Sequence, residues 1–112
     1  MFAERLGFDP VTAPDAEVVR RFRDARDASA FAALLRRHGP MVLGVCRRML
    51  PCAHDAEDAF QATFLVLACK PAAARPPERV GAWLHGVAAR ACLKARRAAA
   101  RRTAAERAAA ER

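Results

Sequence analysis

Tyrosine is absent from this sequence, and aromatic residues fill only 6% of its 112 positions. No run of about 18 apolar residues occurs, which excludes a membrane-inserted span. The first residues, Met1-Phe2-Ala3-Glu4-Arg5, carry an acid and lack the long apolar core of a signal peptide, so the expected location is the cytoplasm. Four cysteines, Cys46, Cys52, Cys69 and Cys92, form no C-x-x-C pair. Structural zinc needs such close pairs, and Cys52 with His54 makes one weak half-site, so no metal or other cofactor is expected. There is no glycine-rich phosphate loop and no nucleophile–base constellation, and the three histidines are scattered. An enzyme is therefore the poorest fit.

What remains is rich in Ala, Leu, Val and Arg, with Gly and Pro mostly between periodic segments. That pattern predicts an all-α fold, a small bundle of four to five helices with a long basic C-terminal helix. A chain of this length makes one small domain with a modest core and no deep cavity. Residues 1–13 lack periodicity and are predicted to be loose. Thr12 and Asp15 offer start signals for a short helix marked by Val18, Val19 and Phe22 that ends near Arg26. Asp27 is placed to cap the next helix. Its stripe of Phe31, Leu34, Leu35 and His38 resumes beyond Gly39-Pro40 as Val42, Val45, Cys46 and Met49. Pro40 predicts a kink or break there.

The next helix begins after Pro51 with Asp55, Glu57 and Asp58 in its first turn, where carboxylates favour the positive end of the dipole. Ala56, Ala59, Phe60, Thr63 and Leu67 form its expected buried stripe. Glu57, Gln61, Phe64 and Ala68 fall on an adjoining face, so Phe64 suits either core or interface. Residues 71–79 hold three prolines and form a stiff loop. The last helix starts near Glu78 to Val80 and buries Val80, Leu84, Val87, Ala88, Ala91 and Ala95. Arg90, Lys94, Arg97 and Arg101 make a second stripe, with Trp83 close to its line. Beyond Ala98 no apolar stripe continues.

The net charge of +8 is uneven. From Arg90 onward eight Lys/Arg face only Glu106 and Glu111. A basic block of this kind attracts phosphate in a salt-dependent way. An acidic helix start suits a basic protein partner. One short chain with both has the charge pattern of an adaptor between a protein and a nucleic acid.

Three strings carry a resemblance. Asp27-Ala28-Ser29-Ala30-Phe31 leads to Leu34-Leu35-Arg36-Arg37-His38. Asp55-Ala56-Glu57-Asp58-Ala59-Phe60-Gln61-Ala62-Thr63-Phe64 follows, and then Ala82-Trp83-Leu84-His85 with Val87-Ala88. Together they resemble region 2 of bacterial sigma factors of the sigma-70 family, with the extracytoplasmic-function group the best fit. The resemblance covers residues 14–102 and leaves 103–112 as the start of an interdomain linker or a frayed helix.

The resemblance implies a transcription initiation factor that docks on the clamp helices of the largest catalytic subunit of core RNA polymerase. Such a factor recognises the promoter minus-ten element and helps hold it open. Asp55, Glu57, Asp58, Gln61 and Phe64 would then face polymerase. Arg75, Arg79, His85, Arg90, Lys94 and Arg97 would face DNA, His85 lying off the basic stripe. Arg90 stands where many relatives carry Asn, and Ala62 where they often carry Glu. Trp83 is read as a packing residue. Aromatic residues suited to wedging strands apart are scarce. Two alternatives stay open: a nonspecific basic helical module that binds nucleic acid, and a sigma-like regulatory fragment held by an anti-sigma factor. The sigma reading expects the acidic and basic faces on distinct exposed surfaces.

Overall fold

The computed structural model describes residues 7–112. Among them the fold is all-α, with four α-helices and two short 3-10 turns. The helices are α1 (Asp15–Ala25), α2 (Ala28–Met49), α3 (Ala53–Cys69) and α4 (Val80–Ala110). The 3-10 turns, Pro71–Ala73 and Pro77–Arg79, lie in the proline-broken loop between α3 and α4. α2, α3 and α4 pack against one another, and α1 closes the bundle over α2 and the loop.

α1 starts with Pro14 as its N-cap and no side-chain cap bond. Thr12 is not the start signal: its N–H and that of Ala13 donate to the Asp9 carbonyl in a turn that precedes the helix. The helix ends where Arg26 takes the left-handed conformation, φ 51°. There the Arg26 guanidinium lies over the Phe22 ring, 4.6 Å from its centroid, and donates to the Ala68 carbonyl at 2.6 Å. That carbonyl belongs to the last turn of α3, where helical partners run out, so Arg26 ties the two helix ends together.

Asp27 caps α2 as the sequence predicts. Its Oδ1 accepts from the Ser29 N–H at 2.9 Å and the Ser29 hydroxyl at 2.6 Å, and its Oδ2 accepts from Arg21 Nε at 3.2 Å. The Ser29 hydroxyl first, then Arg21 and the backbone N–H groups of Ser29 and Ala30, hold the Asp27 carboxyl below its ordinary 3.8, although partial burial opposes them.

Pro40 does not break α2, which runs as one helix from Ala28 to Met49. The proline sits on the exposed side, so the carbonyl one turn before it, on exposed Arg36, keeps water as a partner. Residues 1–6 of the stretch predicted to be loose lie outside the described residues. Residues 8–13 are held to the bundle. Phe8 packs against the core, Ala13 is buried, and Arg37 donates to the carbonyls of Pro10 and Val11 and to Asp15. Asp15 also pairs with His38 Nε2 at 3.0 Å. Polar anchoring of this kind leaves no hydrophobic periodicity to read.

The core is made of Val18, Val19, Leu34, Val42, Leu67, Val80 and Leu84 with smaller Ala and Cys between them. Buried Thr63 is satisfied by donating to the Ala59 carbonyl at 2.8 Å. Cys46 and Cys92 are buried neighbours, and burial together with the Cys92 thiol pushes Cys46 up to about 12. Cys46 is therefore a core thiol and not a nucleophile at neutral pH. The last turns of α4 leave the bundle, and residues 100–110 are all exposed. Among the described residues no helix is long and apolar enough to cross a membrane.

Candidate functional site

α3 sets the acidic surface. It begins at Ala53, earlier than the acids suggest, so only Asp55 lies in its first turn and Glu57 and Asp58 fall in the second. Asp55 is half-buried, and Glu57, Asp58 and Gln61 are exposed. Phe64, which suits either core or interface by its spacing, sits mainly in the core while also lining an apolar hollow. It is buried, with its ring 6.4 Å from Phe31 edge-on and 5.3 Å from Phe60. Phe60, expected in the core, is the ring left partly open. Phe64 is the ring that meets Phe31 of α2 and completes an aromatic row that begins at Phe22.

An apolar trough lies between α2 and α3. One part, a hollow of about 410 Å³, is lined by Phe31, Leu35, Phe60, Gln61, Phe64 and Leu65. The other, about 520 Å³, runs on past Leu35 and Phe60 to Leu43, with Arg36 and Arg47 at its rim. Leu65 is 62% exposed and Leu35 is 37% exposed. These leucines and Phe60 were not among the residues expected from the sequence. Only Leu65 offered a signal, as a large apolar residue off the buried stripe of its helix, whereas Leu35 and Phe60 lie on the stripes expected to be covered.

α4 sets the basic surface. At 3.6 residues per turn, Arg90, Lys94 and Arg97 stay within about 60° of one line, and all three are exposed. Arg90 and Lys94 border a hollow of about 430 Å³ whose other walls include Trp83, Val66 and Ala73 of the loop. Trp83 is partly buried against the core, as a packing residue is, yet it also walls this hollow. Arg75 and Arg79 are exposed on the loop but do not line it. His85 is exposed about 140° around the helix from Arg90. The structure thus gathers Arg90 and Lys94, sets Arg97 one turn farther on, and leaves Arg75, Arg79 and His85 apart.

The acidic and basic groups are not on separate surfaces. Asp55 and Asp58 share a groove of about 380 Å³ with Lys94 and Arg102, floored by alanines of α3 and α4. The reason is geometric. α3 and α4 run side by side, and Arg102 comes about five turns after buried Leu84, on the same line of α4. Where the core ends, that line carries a cation toward the start of α3. Among the described residues the ion pairs within 4.0 Å lie elsewhere, at Arg21–Asp27, Arg23–Asp24 and around Asp15, so the groups in this groove face each other without a locked contact. Among the described residues no three His, Cys, Asp or Glu side chains come together in a way that could hold a metal ion.

The Sigma-70 region 2 family model matches residues 34–102. RNA polymerase sigma factor CarQ of Myxococcus xanthus is 39% identical over 79 residues, which is 70% of this chain and 45% of CarQ. The chain spans less than half the length of that curated relative. No solved structure matches it. The matched family span takes in most of α2, all of α3 and the loop, and ends at Arg102, the last residue of α4 to line the groove beside α3. The basic stripe, the groove and all of the trough except Phe31 fall in the matched part, and the chain belongs to the sigma-70 region 2 family.

Proposed function

We propose that this protein acts in transcription initiation, as a non-enzymatic factor that joins core RNA polymerase to promoter DNA in the bacterial cytoplasm. Asp58 and Gln61, with Asp55 and Glu57 beside them, form the polar half of the polymerase-facing surface. The trough of Phe31, Leu35, Phe60 and Leu65 forms the apolar half. It receives the clamp helices of the largest polymerase subunit. Phe64 contributes from beneath, as the floor that sets the position of Phe60. A polar rim around a small apolar centre is the usual anatomy of a protein interface.

Arg90, Lys94 and Arg97 hold the non-template strand of the minus-ten element, with Arg75 and Arg79 engaging phosphates beside the loop. The hollow between Trp83, Arg90 and Lys94 accepts an unstacked base. Unstacking costs a few kcal/mol, which contact with the indole and the base edge offsets. Arg90 suits a guanine edge or a phosphate. The observation that carries this reading is the exposed line Arg90–Lys94–Arg97 beginning at the Trp83 hollow. A general cation tail would need neither the alignment nor the hollow.

The test measures affinity for purified bacterial core polymerase, then the preference of the bound complex for a promoter-like single strand over a scrambled one. The expected result is association that Asp58→Lys with Gln61→Ala abolishes, and a sequence preference that Arg90→Ala reduces. Association unaffected by the first pair of changes, or equal binding of both strands, contradicts the proposal.

A further inference from the structure

Lys94 borders two hollows at once, the one walled by Trp83 and Arg90 and the groove that contains Asp55 and Asp58. Arg102 lies in the same groove. The carboxylates therefore stand beside two cations of the helix that carries the nucleic-acid stripe. The groove floor is alanine, which keeps water off one side and strengthens the attraction across it. The groups are not locked in ion pairs, so the cations stay free to leave for another anion. A polynucleotide phosphate is such an anion. It would have to enter beside two like charges and draw Lys94 and Arg102 from them.

We propose that Asp55 and Asp58 act as an internal competitor for polynucleotide phosphate at Lys94 and Arg102, and so hold down the affinity of the free chain for nucleic acid. The inference rests on the reading of α4 as the nucleic-acid surface. The device is a filter against indiscriminate binding. Weak, purely electrostatic contacts are suppressed, and a strand that also fills the Trp83 hollow retains contacts that the carboxylates do not oppose. Arg90 and Arg97 lie outside the groove and escape the competition.

The test is binding of the 112-residue chain to a fluorescent single-stranded oligothymidylate, read by anisotropy over a range of salt. Asp55→Asn with Asp58→Asn is compared with Glu17→Gln and Asp24→Asn, which remove the same charge from α1. The groove pair is expected to tighten binding about five- to tenfold at low salt, well beyond the α1 pair, with the gain fading as salt screens it. In a chain already carrying Lys94→Gln and Arg102→Gln the groove pair is expected to give no more than the α1 pair. Equal gains from the two pairs, or a gain that survives loss of Lys94 and Arg102, overturn the inference.

Asp58→Asn alone, beyond the first turn of α3, serves as the second variant should loss of Asp55 unfold the helix start. It is expected to give about half of the logarithmic gain, and no gain from a folded Asp58→Asn chain overturns the proposal. Failure of the underlying reading has a different signature: Arg90→Gln with Arg97→Gln would leave oligothymidylate affinity unchanged.

Discussion

Leu65 and Leu67 stand two residues apart on α3 and make opposite demands. Leu65 is 62% exposed at the trough, whereas Leu67 is fully buried in the core. Leu65→Ala removes nothing that the free fold uses, so its stability should stay within about 0.5 kcal/mol of the parent. In the proposed complex with polymerase the same side chain would be covered. A leucine exposed to this degree presents on the order of 100 Å² of apolar surface, worth about 2.5 kcal/mol when buried. Truncation to Ala forfeits roughly two-thirds of that, and the expected loss is about ten- to thirtyfold in Kd.

Leu67→Ala leaves a cavity instead and should cost about 2–5 kcal/mol of stability. In a domain this small that lowers Tm by at least 8 °C on the order-of-magnitude scale of about 4 °C or more per kcal/mol. Urea denaturation followed by circular dichroism measures the first quantity, and titration of labelled chain with core polymerase measures the second. Parental polymerase affinity in Leu65→Ala refutes the assignment of the trough. A large loss of stability in the same variant refutes the geometry beneath it.

Other outcomes follow from single contacts. Asp27→Ala removes the α2 cap and its bond to Arg21, a loss of about 1–2 kcal/mol at neutral pH. Because the folded pKa of Asp27 lies below its ordinary 3.8, this stabilisation is complete above the unfolded value and disappears as pH falls through the folded one. The gap between parent and variant in thermal melts should therefore close in strong acid, and a gap independent of pH contradicts the cap. Thr63→Val deletes a hydroxyl whose acceptor, the Ala59 carbonyl, keeps its helical N–H partner. Its stability should change by no more than about 1 kcal/mol, and a loss above about 3 kcal/mol in chemical denaturation shows that the hydroxyl has a second role. Neutralising Arg90, Lys94 and Arg97 together should reduce the slope of log affinity against log salt for single strands by about two; an unchanged slope shows that these cations do not meet phosphate.

Much of the architecture was legible before the structure. Asp27 as a cap, the proline loop of residues 71–79 and the Val80–Leu84–Val87–Ala88 face of α4 each follow from local chemistry that acts within one segment. What was not legible depends on neighbours. Spacing puts Phe60 and Phe64 on adjoining faces of α3, and only the ring of Phe31 on another helix decides which one is buried. Arg102 reads as tail because the apolar line that starts at Leu84 does not continue beyond Ala98, and its position opposite Asp55 and Asp58 appears once α3 and α4 are side by side. Residues 8–13 read as loose because polar bonds to Arg37 and Asp9 hold them. Pro40 marks a break by its chemistry alone, yet its exposed site tolerates the missing hydrogen bond.

The proposed function divides the molecule in two, protein on α3 and nucleic acid on α4. Photo-crosslinking in a complete initiation complex tests it most directly, with a benzophenone amino acid placed at Leu65 in one chain and at Arg90 in another. The expected result is a crosslink from position 65 to the largest polymerase subunit and from position 90 to the non-template strand near the minus-ten element. Crosslinks from both positions to the same partner, or from position 65 to DNA, would contradict it.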